Sequence, residues 1–155
     1  MKSKKQVRRH RNKSKKFRKM KGGGKLEDDL FDAVINMNYE AVLDLLNNGA
    51  DVNARNVNGR YNTEWTPLLF ACFQDGPPEI AILLIDKGAD INVKNIRGHT
   101  PLYIAILNNR HTISAYLINK GADIYIKSNS GNTYLHSAAA AGNDELVNYF
   151  IERGL

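Results

Sequence analysis

The feature that most constrains the fold of this chain is an internal repeat of about 33 residues. The tripeptide Gly-Ala-Asp begins at Gly49, Gly88 and Gly121, and a further glycine follows in phase at Gly154. The intervals between these glycines are 39, 33 and 33 residues. A fixed period of this length is typical of a solenoid, in which each unit buries its apolar face against its neighbours.

A second marker lies 21 or 22 residues before the next of these glycines. It consists of a threonine, a proline or tyrosine, and a leucine, and it begins at Thr66, Thr100 and Thr133. Together the two markers place the six extra residues of the long interval in turn-rich segments, five of them at residues 60–64 and one near Gly76. Surface loops tolerate insertions of this kind, so the extra residues do not interrupt the repeat.

Each marker has a local structural meaning. A threonine caps a helix N-terminus, and a proline at the first helical position loses only a hydrogen bond that the helix would not make there. A second helix follows in each unit, with apolar residues at helical spacing such as Val42, Leu45 and Leu46. The glycine after it permits a left-handed cap. Each unit is therefore predicted to be two helices followed by a segment that leaves the helix layer.

These motifs resemble the Thr-Pro-Leu-His, small-residue and Gly-Ala-Asp-Val-Asn elements of the ankyrin repeat family. The resemblance covers about residues 26–155. It implies an all-α solenoid of about four stacked ankyrin repeats, each a helix-turn-helix with a hairpin finger. The expected repeats span about residues 26–56, 57–95, 96–128 and 129–155.

The two terminal units depart from the family pattern. The first has Asp28-Asp29-Leu30 in place of Thr-Pro-Leu, which is typical of an N-terminal capping repeat. The last has Tyr134 in the proline position and ends at Leu155 without a hairpin. Two interpretations follow: Leu155 closes a short natural stack, or the chain is a fragment.

Charge divides the chain into two parts. Residues 1–25 contain 13 of the 22 Lys and Arg residues and no Asp or Glu, whereas residues 26–155 contain the other 9 and all 16 acidic residues. The net charges are therefore +13 and −7. Like charges at this density keep a segment from burying a core, so residues 1–25 are expected to be a disordered basic tail that ends in a glycine hinge at 22–24.

The basic tail has several alternative roles. Such clusters are typical of nuclear import signals, of nonspecific nucleic-acid binding through counterion release, and of docking on anionic membranes. A tail without a specific partner would simply be solvated. The candidate residues for polyanion binding or import are Lys4, Lys5, Arg8, Arg9, Arg11, Lys15, Lys16, Arg18 and Lys19.

No group of residues in the sequence predicts catalysis. The single cysteine, Cys72, falls at a small-residue core position, and none of the four histidines has another His or Cys at metal-ligand spacing. The resemblance implies that His136 hydrogen-bonds to backbone. We therefore predict that the protein is not an enzyme and uses no metal or cofactor. The alternative is a repeat array that targets the catalytic part of a longer chain.

The resemblance implies a binding surface on the concave face, at exposed positions of the first helices and at the finger tips. Among those helix positions, four residues are large and apolar, and they are expected to form an exposed strip, which usually marks a contact site. The strip consists of Phe70, Phe73, Ile104 and Leu107.

The fingers would extend this strip. Tyr61 and Trp65 belong to the first finger, and Lys94 and Arg97 belong to the next one. Aromatic residues and arginine dominate the binding energy of many interfaces. In the alternative interpretation, Trp65 and the phenylalanines pack as extra core under the five-residue insertion.

The predicted function is a monomeric, non-catalytic module that binds an unidentified partner protein, with the basic tail acting in localisation. The alternative is a protein that binds nucleic acid or another polyanion mainly through the tail. No apolar run approaches the roughly 18 residues of a membrane span. The N-terminus also lacks the apolar stretch of a signal peptide. We therefore expect an intracellular location, in the nucleus or cytoplasm of its own cell or of a host.

Overall fold

The computed structural model describes residues 26–56 and 64–155, so the expected disorder of the basic tail lies outside the described residues. Within these ranges the chain forms eight helices and no strand. The helices form four pairs, each with a first and a second helix. They are α1 (Leu26–Ile35) and α2 (Tyr39–Asn47), α3 (Pro67–Phe73) and α4 (Glu79–Asp86), α5 (Pro101–Leu107) and α6 (His111–Asn119), and α7 (Tyr134–Ala140) and α8 (Asp144–Glu152).

The four pairs stack side by side in two rows. In the first row, α3 packs between α1 and α5, and α5 packs between α3 and α7. In the second row, α4 packs between α2 and α6. One continuous core of buried apolar side chains extends from Leu30 to Phe150. This arrangement confirms the predicted all-α ankyrin solenoid.

The local sequence explains where the first helices begin. Thr66 and Thr100 each accept a hydrogen bond on Oγ1 from the backbone N–H three residues on, at 3.4 and 3.2 Å, and a proline follows each of them. In the last unit, the backbone N–H of Thr133 donates to Nδ1 of His136 at 3.3 Å. His136 therefore makes a backbone hydrogen bond of the kind that the family resemblance implies.

Tyr134 replaces the proline in the last unit and links it to the preceding one. Its ring is buried and stacks on Phe150 with 5.9 Å between the ring centroids. Its hydroxyl lies 2.7 Å from Oγ1 of Thr100, the residue that caps α5. Burial raises the pKa of Tyr134 from 10.0 to about 12, so in the folded protein the hydroxyl keeps its proton to a higher pH than in the unfolded chain.

Hydrogen bonds locate the five extra residues in the first finger, which we define as residues 54–65. In the second finger (93–99) the N–H of Asn95 donates to the carbonyl four residues on, and Ser128 does the same in the third finger (126–132). In the first finger, the N–H of Asn56 donates to the carbonyl of Trp65, nine residues on. The first finger is therefore five residues longer, where the spacing of the repeat predicts the insertion.

Candidate protein-interaction surface

The structure corrects the expected four-residue strip. Phe70 and Ile104 are only 7% and 4% exposed, whereas Phe73 and Leu107 are 54% and 45% exposed. Ile104 is buried because α5 is flanked by α3 on one side and α7 on the other. Ser137, at the same position in α7, is buried as well. In α3, α5 and α7 this position therefore belongs to the core, and the position three residues later faces solvent.

An aromatic cluster explains why Phe70 is covered. The ring of Phe31 lies edge-on to Phe70 at 5.7 Å between centroids, and the ring of Trp65 lies at 5.0 Å. Trp65 is itself buried and meets the exposed ring of Phe73 edge-on at 5.5 Å. The alternative of extra core thus holds for Trp65 and Phe70. It does not hold for Phe73, whose ring contacts Trp65 but remains exposed.

The exposed side chains Phe73 and Leu107 belong to a row that runs across all four units. Each first helix ends in an apolar residue, and we call these four residues the apolar row: Ile35, Phe73, Leu107 and Ala140. Phe73, Leu107 and Ala140 are exposed, and Ile35 is half-buried. The helices α3, α5 and α7 contain no charged residue. The centre of this face is therefore uncharged and partly apolar.

Basic residues lie in the fingers, at the opposite end of the first helices from the apolar row. Arg55, Lys94 and Lys127 occupy the same position in successive fingers, Arg97 follows in the second finger, and all four are exposed. We call these four residues the basic finger edge. Within the described part of the chain, Lys94, Arg97 and Lys127 make no ion pair. Tyr61 and the basic residues of the tail lie outside the described residues.

Hydrogen bonds hold neighbouring fingers together. Nη1 of Arg55 donates to the carbonyl of Lys94 at 3.3 Å and also lies 3.0 Å from the Glu64 carboxylate. The Asn129 amide donates to the carbonyl of Ile96 at 2.9 Å, and its backbone N–H donates to the carbonyl of Arg97 at 3.1 Å. The basic finger edge is therefore set on fingers that hydrogen-bond to one another.

The bases of the fingers are braced in the same way. Oδ1 of Asn53 accepts a hydrogen bond from the N–H of Asp90 at 2.8 Å, and Oδ1 of Asn92 accepts one from the N–H of Asp123 at 2.9 Å. The carboxylates of these aspartates and of Asp51 each accept a backbone N–H two residues on, at 2.9 Å. These carboxylates lie in the turns that follow the second helices, and their hydrogen bonds stabilise those turns.

A joint between units lies next to the apolar row. The guanidinium of Arg110 lies 2.9 Å from the Asp75 carboxylate and also donates to the carbonyl of Gly76. The Arg110 side chain is only 13% exposed. The Gln74 amide donates to the carbonyl of Ile35 at 2.9 Å. This role of Arg110 was not predicted from the sequence. Its only indication there is that Arg110 lies in the turn between α5 and α6, next to the longer α3–α4 turn of the preceding unit.

The cysteine and histidine side chains are the candidates for catalysis or metal binding, and among those that the structure describes Cys72 and His99 are the most buried. Cys72 is fully buried, and that burial raises the pKa of its thiol far more than nearby Arg110 lowers it, so the reactive thiolate does not form at neutral pH. His99 stacks on Tyr103 at 4.3 Å between centroids, and burial together with Arg97 lowers the pKa of His99. In the described ranges, no cluster of three or more His, Cys, Asp or Glu residues is arranged to hold a metal ion.

Paired helices in two rows, with fingers projecting from one side, define a solenoid protein with a concave binding face. A family model described as Ankyrin repeats (3 copies) matches residues 30–128 and 68–155. These matches span most of the chain, which therefore belongs to the ankyrin repeat family. Members of this family generally act in protein–protein interaction and are typically non-catalytic. A search of curated proteins finds no match to this chain.

The helices are short compared with a bilayer. Among the residues that the structure describes, no helix is both long and apolar enough to cross a membrane.

Proposed function

We propose that this protein is a non-catalytic, monomeric interaction module that binds a partner protein through its concave face and fingers. The observation that carries the proposal is the exposure of Phe73 and Leu107 at equivalent positions of adjacent helices. Packed helices lie roughly 8–10 Å apart, so the two side chains contribute to one patch. Contiguous exposed apolar surface of this kind is typical of a contact site, because its burial against a partner is favourable by roughly 25 cal/mol per Å².

The rigidity of the face supports the same proposal. Trp65 supports Phe73, and the hydrogen bonds from Arg55 and Asn129 join the three fingers. A surface that is ordered in advance loses little conformational entropy on binding, so more of the contact energy becomes affinity. Lys94 and Arg97 add exposed polar contacts at the rim.

In this proposal the basic tail acts in localisation, in the nucleus or cytoplasm. A second candidate function, binding of nucleic acid or another polyanion, is favoured by the 13 cationic residues among residues 1–25. Such binding depends on counterion release and weakens steeply as salt rises. Contacts on the apolar row would depend much less on salt.

The test is affinity capture from a lysate, with and without nuclease treatment, with four proteins: the wild type, a variant without residues 1–25, the double variant Phe73→Ser/Leu107→Ser, and Ile151→Ser. Ile151 is the matched control, because it is 56% exposed but lies on the second-row helix α8. We expect a protein partner that is still captured by the tail-deletion variant and by Ile151→Ser but is not captured by the double variant. Binding that requires the tail and disappears with nuclease would replace this proposal with the polyanion function.

A further inference from the structure

We infer that the occupant of the concave face is an acidic segment of another protein, whose apolar side chains pack on Phe73 and Leu107 while its carboxylates contact the basic finger edge. This inference rests on the interaction function proposed above and adds the chemistry of the partner. It is carried by a separation of charge across the described part of the domain.

The negative charge lies on the second row of helices and, in the first row, on the terminal helix α1, which carries Glu27, Asp28, Asp29 and Asp32. Helices α2, α4 and α8 contain no Lys or Arg, and α6 contains no Asp, Glu, Lys or Arg. The basic residues that follow these helices are engaged locally: Lys120 pairs with Asp86 at 2.9 Å, and Lys87 donates to Asn47. The acidic residues of the second row are Glu40, Asp44, Glu79, Asp86, Asp144, Glu145 and Glu152.

The fingers carry the opposite charge. Arg55 is neutralised by Glu64, which leaves Lys94, Arg97 and Lys127 as the exposed cations of the basic finger edge. Phe73 and Leu107, on helices without Asp, Glu, Lys or Arg, lie between this edge and the joint where Arg110 is already paired, whereas Ile35 lies on the acidic α1. Among the described residues, a partner on Phe73 and Leu107 therefore meets unpaired positive charge on the finger side only.

This distribution determines which partner chemistry fits. A segment that runs along the first helices from Phe73 and Leu107 to the fingers also removes water from the finger cations, and desolvated cations are costly unless a carboxylate replaces the water. Acidic side chains on the partner would supply that carboxylate. The negative second row repels the same segment, so long-range electrostatics would orient an acidic partner toward the fingers.

The same distribution argues against the other occupants. The tail of this chain, at +13, has the same sign as the finger edge. A nucleic acid matches the cations, but its main apolar contacts are made by stacked bases, and Phe73 is the one exposed aromatic ring in the apolar row, which provides little for base stacking. A second copy of this chain would make the face an interface between identical subunits, which light scattering detects directly.

The experiment sorts a yeast-displayed library of random peptides of about 12 residues with the labelled full-length chain, at about 0.3 M NaCl to weaken contacts with the tail. A counter-sort with the Phe73→Ser/Leu107→Ser variant retains only peptides that need the apolar row. We expect these peptides to be net acidic and to contain apolar residues. The triple variant Lys94→Glu/Arg97→Glu/Lys127→Glu should weaken their binding by about tenfold or more, whereas the second-row control Lys87→Glu should not.

A charge swap completes the test. Peptides in which Lys replaces each Asp and Glu should bind the triple variant better than they bind the wild type. Circular dichroism melts of each variant confirm that it is folded, which the exposure of the changed residues leads us to expect.

Four results would overturn the inference. If the peptides that need Phe73 and Leu107 are neutral or basic, the face binds proteins but the acidic partner is wrong. If no peptide needs those two residues, the proposed function fails as well. If a single-stranded oligonucleotide of about 20 nucleotides displaces the peptides, or if the wild type forms a dimer that the Phe73→Ser/Leu107→Ser variant does not, the occupant is not an acidic protein segment.

Discussion

The joints between the repeats and the concave face use similar side chains for opposite purposes. At the joint between the second and third units, Arg110 is nearly buried and bonded to Asp75 and to the carbonyl of Gly76. At the finger edge, Lys94 and Arg97 are exposed and make no ion pair within the described residues. Whether a charged residue of a repeat protein acts in stability or in binding therefore depends on the unit next to it. Changes at joints should lower stability, and changes on the face should lower binding.

The largest expected difference in stability separates Ile104 from Leu107, three residues apart on α5. Ile104→Ala should lower the free energy of unfolding by about 2–4 kcal/mol, because it opens a cavity at a site that is 4% exposed. Leu107→Ala should cost less than about 1 kcal/mol, because its side chain is already half in water. Urea denaturation of the full chain measures both. Equal losses would contradict the assignment of Leu107 to the surface.

The next largest effect is expected at Arg110. Arg110→Ala removes the ion pair with Asp75 and leaves the carbonyl of Gly76 without this donor, so we expect a loss of about 2 kcal/mol, below the cost of breaking a fully buried pair because Asp75 is exposed. Lys94→Ala is the control and should change stability by less than about 0.5 kcal/mol. Thermal unfolding compares the two variants, and a loss at Lys94 as large as that at Arg110 would remove the distinction between joint and face.

Two glycines distinguish the contact between fingers from the backbone conformation within one finger. Gly98 and Gly131 both have positive φ, +75° and +82°, so alanine is strained at either position. Only at Gly98 would the added Cβ meet the next finger, 2.7 Å from the backbone N of Asn129, whereas nothing lies within 4 Å at Gly131. We expect Gly98→Ala to cost about 1 kcal/mol more than Gly131→Ala in chemical denaturation, because the finger must shift. If the two variants lose the same stability, the fingers are not in contact there.

The smallest expected effect concerns the joint at Tyr134. Tyr134→Phe deletes the hydroxyl that bonds to Thr100 and should cost about 1 kcal/mol at neutral pH. The pKa of Tyr134 is raised from 10.0 to about 12, so the folded state favours the protonated phenol. Its contribution to stability is therefore complete below pH 10 and is lost as pH rises toward 12. Stability measured against pH should fall less steeply across this window in Tyr134→Phe. An unchanged slope would show that Tyr134 titrates as freely as in the unfolded chain.

Much of the architecture was predictable because it depends on local pattern. The caps at Thr66 and Thr100 and the five-residue insertion in the first finger need only residues close together in sequence. The position of the candidate surface was predictable only in part. Phe70 and Phe73 differ by three residues, less than one helical turn, and nothing local indicates that Trp65 and Phe31 cover one of them.

The repeat, the pairing of helices within each unit and the separation of a basic tail from an acidic domain can all be predicted from the order of residues, because period, caps and charge are properties of neighbouring residues. The tertiary structure alone decided which apolar residues are exposed and which charges are paired. Arg110 finds Asp75 from 35 residues away, and Tyr134 reaches Thr100 from 34. In a stacked array, burial depends on the adjacent unit. The surface that a partner can reach therefore emerges only when the units are assembled.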